Sequence, residues 1–149
     1  MKRRVFLAAA GTATTASACS CVLTDPSDWP FPKEDGHSIL FRGKLASRRP
    51  LPSVTGHKRY SATFNVHEYW RGAVSATVTI KVVISIGSGD CLQEGPGYLV
   101  GQEYLVYAYK NPTEPDSSYK DNAACVPVGL VKDFPKVMKA LGTGRKPAV

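Results

Sequence analysis

The chain has 149 residues, 43% of them hydrophobic and 21% charged, and a formal net charge of +7 at pH 7. Once a leader is set apart, the rest suffices for one domain and excludes two. The positive excess is spread along the chain, and no run of Lys and Arg is interleaved with aromatics. That argues against a nucleic-acid partner. Lys33, Lys44, Arg48, Arg49, Lys58 and Arg59 read instead as a solvated face.

Residues 1–18 read as an export signal. Lys2, Arg3 and Arg4 form a basic n-region, Val5 to Ala16 an apolar h-region, and Ala16-Ser17-Ala18 a small-residue cleavage site. The apolar stretch is too short to span a bilayer. Arg3-Arg4 followed by Val5-Phe6-Leu7 also suits the twin-arginine route, although an ordinary basic n-region reads the same way. The segment carries three positive charges and no acids, so its removal takes the net charge from +7 to +4. The expected location is extracytoplasmic: secreted, periplasmic or at the cell surface.

After the leader, Pro26, Pro30 and Pro32 with Asp25, Asp28, Asp35 and Gly36 make residues 22–37 irregular, and Trp29 and Phe31 are expected to pin that segment down. Ile39 to Leu45 predicts a strand, with Phe41, Gly43 and Leu45 on one face and Leu40, Arg42 and Lys44 on the other. A proline-rich, basic loop is expected from Ser47 to Lys58. Tyr60 to Trp70 predicts an amphipathic strand, with Tyr60, Ala62, Phe64, Val66 and Glu68 on one parity and Asn65, His67 and Tyr69 on the other. Arg71-Gly72 turns out of it. The β-branched run Thr77 to Ile86 suits a strand covered on both faces, and Gly87-Ser88-Gly89-Asp90 ends it. Gly95-Pro96-Gly97 is a turn, Glu103 to Tyr109 a strand, residues 111–122 an exposed polar loop, and Ala124 to Val131 a last strand.

Near the end the period changes. Asp133 suits an N-cap, Pro135 a first turn and Gly142 the far cap. Phe134, Val137, Met138 and Leu141 fall at i, i+3, i+4 and i+7, a stripe that packs against the sheet. Residues 143–149 are expected to be disordered. Five strands and one short helix predict an all-β fold, a small OB-like Greek-key β-barrel with a short C-terminal α-helix, over residues 19–142.

Four cysteines, Cys19, Cys21, Cys91 and Cys125, all follow the leader. An even number in an exported chain reads as two disulfides, with three connectivities open. The C-x-C and two distant singles do not match the knuckles of a structural zinc site. Cys19-Ser20-Cys21 at the mature start resembles the C-x-C that opens tissue inhibitors of metalloproteinases and related netrin-like modules. The likeness continues in Ile39 to Leu45, in Tyr60 to Gly72 with its aromatic-Arg-Gly ending, and in Cys91 after a Gly-rich turn. It extends to Glu103-Tyr104-Leu105-Val106 and the strand bearing Cys125, so that residues 19–132 are covered.

The resemblance implies the pairs Cys19–Cys91 and Cys21–Cys125, each closing a long loop worth on the order of 4 kcal/mol. In an extended segment residues i and i+2 share a side, so both cysteines can face the barrel while Ser20 points away. It further implies that the α-amino group and carbonyl of Cys19 chelate the catalytic zinc of a metalloproteinase. Ser20 would enter the adjoining pocket, and Ser88, Gly89 and Asp90 would form the neighbouring edge. The expected partner is thus a zinc metalloproteinase. The chain itself, expected to be a monomer, would need no cofactor and hold no metal of its own. The family's third disulfide has no cysteines here; Phe31 stands about where one would sit.

Ala16-Ser17-Ala18-Cys19 also passes for a lipobox. Lipidation of Cys19 would consume the thiol, leave Cys91 without a partner and convert the chain into a membrane-anchored lipoprotein, a non-inhibitory envelope binding module. Enzyme chemistry is not expected. Gly87-Ser88-Gly89 is no nucleophile elbow, His37, His57 and His67 have no metal-ligand spacing, and no βαβ unit surrounds the C-x-C.

Overall fold

The computed structural model describes residues 36–54, 56–84, 97–113, 118–121 and 129–148. They form a mostly β structure with one short helix. Strand β1 (Ser38–Val54) and strand β2 (His57–Arg71) make a long antiparallel hairpin, paired from Leu40↔Arg71 to Val54↔His57. The loop expected between Ser47 and Lys58 is therefore strand, apart from the turn at its tip. Pro50 and Pro52 are tolerated there because, among the described residues, β1 past Leu45 has a neighbour on one side only, the situation in which a missing N–H goes unneeded.

Strand β3 (Thr77–Ile84) pairs antiparallel with β2, and β4 (Glu103–Tyr109) pairs antiparallel with the first half of β1, from Ser38↔Tyr109 to Lys44↔Glu103. The short β5 (Tyr119–Asp121) lies parallel to β3 at Ile80 and Lys81 and antiparallel to β4 at Ala108 and Tyr109. It occupies part of the stretch expected to be an exposed polar loop. Strand β6 (Gly129–Leu130) pairs with Tyr104 and Leu105. It falls within the last strand expected over Ala124 to Val131, which then tightens into a 3-10 turn at Val131–Asp133.

Extra residues in the hairpin decide which side chains face inward. Ala46 on β1, and His67 and Trp70 on β2, each have no opposite number. Such bulges bend a strand and increase its twist, which lets β1 serve both β2 and β4. They also reverse parity. Glu68, grouped by alternation with Tyr60 to Val66, is turned outward opposite Arg42, and Tyr69 is turned inward opposite Phe41. At the bend a Cβ on Gly43 would stand 2.8 Å from the Asn65 carbonyl oxygen, so only glycine allows β2 this close. Gly72 ends the hairpin at φ +74, where a Cβ would meet the Ser38 carbonyl oxygen at 2.7 Å.

The inner face carries the main core. Phe41, Leu45, Ala62, Phe64, Ile80, Tyr104 and Val106 are almost wholly removed from water. Each large apolar side chain so buried stabilises the fold by roughly 1.5–3 kcal/mol. The aromatic members meet edge to face, with ring centroids 5.5 Å apart for Phe41 and Phe64, 5.3 Å for Phe64 and Tyr98 and 4.8 Å for Tyr98 and Tyr104, the arrangement ring quadrupoles favour. Strand β3 alternates, with Val78, Ile80 and Val82 inward and Thr77, Thr79 and Val83 exposed. The strand covered on both faces is β4. Its outward Leu105 and Tyr107 join Leu40 beneath helix α1 (Pro135–Leu141).

Helix α1 has seven residues, too few to persist alone in water. Val137 is buried on Leu40, Leu105 and Tyr107, with Phe134, Met138 and Leu141 packed alongside, which is the expected stripe. Pro135 takes the first turn and Gly142 the C-cap. The N-cap is Phe134, without a side-chain cap bond; Asp133, expected there, sits in the 3-10 turn. Residues 143–148, expected to be disordered, lie along β2. Arg145 and Tyr69 exchange two backbone hydrogen bonds of 2.8 and 2.9 Å, and Ala148 bridges Ser75. The half-buried Trp70 helps anchor this stretch, its indole N–H donating to the Gly142 carbonyl at 3.1 Å. Among the described residues no helix is long and apolar enough to cross a membrane.

Candidate functional site

Cys19, Ser20, Cys21, Ser88, Gly89, Asp90, Cys91 and Cys125 lie outside the described residues. What the structure brings together are the stretches that follow the last two cysteines. Tyr98 and Leu99 come after Cys91, and Leu130 after Cys125; both stretches meet at Tyr104, the second residue of β4. The Leu99 N–H donates to the Tyr104 hydroxyl at 2.7 Å, and Tyr104 pairs with Leu130. The turn at Leu99–Gln102 is laced to β1, with the Gly101 N–H donating to the Leu45 carbonyl at 2.8 Å and the Leu45 N–H to Gln102 at 2.9 Å. Leu99 and Val100 project from this fastened turn with 59% and 58% of their surface exposed.

A second group of chemically active side chains crosses the outer face of β1, β2 and β4. The bulge at His67 places Glu68 opposite Arg42, while β4 brings Glu103 alongside. Arg42 Nε donates to Glu103 Oε1 at 2.9 Å and its Nη1 to Glu68 Oε1 at 3.0 Å. His67 Nδ1 lies 2.6 Å from the same Glu103 oxygen. Burial alone would raise the Glu103 carboxyl, but hydrogen bonds from Arg42 and His67 outweigh it and hold the group below the ordinary carboxylate range. Arg42 is pushed up in turn, chiefly by its bond to Glu103.

The C-terminal stretch closes the group. The Gly144 N–H donates to Glu68 Oε2 at 3.0 Å, and Lys146 Nζ to the His67 carbonyl at 3.3 Å. A carboxylate stabilised in its charged form is a poor proton acceptor near neutral pH, so the arrangement suits a clamp joining three strands and residues 143–148. Among the described residues no three His, Cys, Asp or Glu side chains stand close enough to hold a metal ion.

The sequence puts His67 in the strand from Tyr60 to Trp70, where it is, and shows nothing of the network around it. Its bonded partners lie 26 to 79 positions apart, and no local pattern joins them. The outward parity of Arg42 was the one available signal. No protein-family model matches the chain, and no curated protein matches it either.

Proposed function

We propose that the chain is an exported, disulfide-stapled inhibitor of zinc metalloproteinases, built on an OB-like Greek-key barrel and acting through its mature N-terminus at Cys19. Pairings that run β1-β2-β3-β5-β4 and return to β1 support the barrel, since they are what a five-stranded, partly open Greek-key barrel needs. The observation that carries the inhibitory reading is the meeting at Tyr104. Cys91 precedes Tyr98 by seven positions and Cys125 precedes Leu130 by five, so the chain's reach allows both to bridge to one C-x-C pair. Such bridging needs two cysteines near one another, because Cys19 and Cys21 are only two positions apart.

In this reading the pairs Cys19–Cys91 and Cys21–Cys125 hold the terminus rigid, and little freedom is lost on binding. The α-amino group of Cys19, with an ordinary pKa of ~8, releases its proton to solvent as its nitrogen lone pair coordinates a protease zinc, and fills the position kept open for water. The Cys19 carbonyl supplies the second donor, Ser20 enters the neighbouring pocket, and Ser88, Gly89 and Asp90 flank it. Leu99 and Val100 extend the edge with apolar contact.

Intact mass and N-terminal sequencing of the exported protein, with and without reduction, come first, followed by titration against zinc metalloproteinases. A free Cys19 amine, a mass lighter by two disulfides and inhibition abolished by acetylating that amine are expected. Inhibition that survives acetylation would sink the mechanism. A diacylglycerol adduct on Cys19 would do the same and leave a tethered envelope module, the second reading that Ala16-Ser17-Ala18-Cys19 favours.

A further inference from the structure

Past Leu45 the inner face of the hairpin changes character. The extra residue at Ala46 brings Arg48 opposite Ala62 and Pro50 opposite Tyr60, so the side that carries core residues nearer the centre carries cations here. Arg48, Lys58 and Arg59, with Leu51, Tyr60 and Ile84, line an open groove of ≈ 570 Å³. Two of the cations are fixed in place. The Arg48 guanidinium lies 4.1 Å from the centre of the Tyr60 ring and donates from Nη1 to the Tyr98 carbonyl at 2.8 Å. Arg59 donates from Nε to the Pro52 carbonyl at 3.0 Å. A guanidinium has five N–H groups, so each retains donors for a ligand, and part of the entropy of ordering these side chains is spent before anything binds.

Charge sorting across the molecule sharpens the contrast. Ion pairs among the described residues gather at Arg42, on the other half of β1, and none of those residues offers a carboxylate to Arg48, Lys58 or Arg59. We infer that the groove binds an acidic, apolar-alternating peptide segment of a partner protein. Its carboxylates would meet Arg48, Lys58 and Arg59, and its apolar side chains would pack on Leu51 and Ile84. Guanidinium forks match carboxylates two bonds at a time. Nucleic acids and sugars fit less well, since Tyr60, the one aromatic ring lining the groove among the described residues, is only 5% exposed and already stacked under Arg48. A flat bilayer would meet the rim of a concave surface, whereas an extended chain can enter it.

The probe is a short, dye-labelled, acetylated peptide of alternating leucine and glutamate, titrated against the full mature protein by fluorescence anisotropy. Binding that weakens about tenfold when glutamines replace the glutamates, and about tenfold in the Lys58→Gln/Arg59→Gln protein, is expected for the loss of charged hydrogen bonds. Both substitutions lie on the rim, and circular dichroism checks that the fold is kept; Arg48→Gln is a third variant, read only if it passes that check. Undetectable binding, equal affinity for the glutamine peptide, or an unaffected double variant would overturn the inference. So would tighter binding to dextran sulfate or to phosphatidylglycerol vesicles than to the peptide. Acetylating the Cys19 amine selectively, at a pH where lysine amines such as that of Lys58 stay protonated, abolishes the proposed chelation and leaves this groove unmodified, so failure of one reading is told apart from failure of the other.

Discussion

The two halves of β1 belong to one strand and one hairpin, yet they live in different surroundings. From Ser38 to Leu45 the strand has β2 on one side and β4 on the other, with the aromatic core against one face and Leu40 under helix α1 on the other. From Ala46 to Val54 only β2, among the described residues, accompanies it, most side chains face water, and prolines and arginines take the place of apolar residues. The difference shows that the number of neighbours, more than membership of a strand, decides what a strand may carry. A doubly flanked stretch must satisfy every amide and fill both faces, while a singly flanked one can afford residues that interrupt pairing and present charge.

That contrast can be tested by substitution, starting with the largest expected effect. Phe41→Ala empties a position that is 0% exposed and should cost about 3–5 kcal/mol in urea unfolding, a large part of the roughly 5–15 kcal/mol typical of a domain. An effect below about 1 kcal/mol would mean that the doubly flanked half is not the core of the fold.

Glu103→Gln, at the edge of the same half, should cost about 1 kcal/mol or less because the pair is partly solvated. Its pH dependence is more informative than its size. The Glu103 carboxyl titrates lower folded than unfolded, so unfolding takes up a proton. The stability it contributes is present above the unfolded value and lost as pH falls from there through the folded one. Wild type and Glu103→Gln should therefore differ at neutral pH and converge in acid; a gap that persists or widens in acid would contradict the assignment. Smallest of all, Arg49→Ala in the singly flanked half should move stability by less than about 0.5 kcal/mol, and a larger loss would erase the contrast.

Legibility in the sequence followed the same division. Tyr60 to Val66 could be read because a half-buried strand alternates, and Phe134 to Leu141 because a helix repeats its apolar positions. Pro50, Pro52, Arg48 and Arg49 disguised the outer hairpin as a loop, since composition reports how well a segment suits a central strand and says nothing of a strand with one neighbour. Bulges at Ala46, His67 and Trp70 carry no composition signal, and one unmatched residue sends every later side chain to the opposite face. That is why simple alternation groups Glu68 with Tyr60, Ala62, Phe64 and Val66, whereas the structure turns it outward. For the candidate site, the C-x-C and the order of the cysteines were readable, whereas the meeting of Leu99 and Leu130 at Tyr104 depends on strands whose pairing no local pattern encodes.

The sharing of β1 between two partners also orders events in time. The tip of the hairpin joins Val54 to His57, close neighbours along the chain, whereas pairing Lys44 with Glu103 must close a loop of dozens of residues. Loop-closure entropy rises with loop length, and folding slows as contacts become less local. The hairpin can therefore be set in register while β4 is still free, offering a template edge that β4 later captures. The cationic groove, built mostly from the hairpin, needs no contact from β4, whereas the Arg42–Glu103 bond of the clamp has to wait for it.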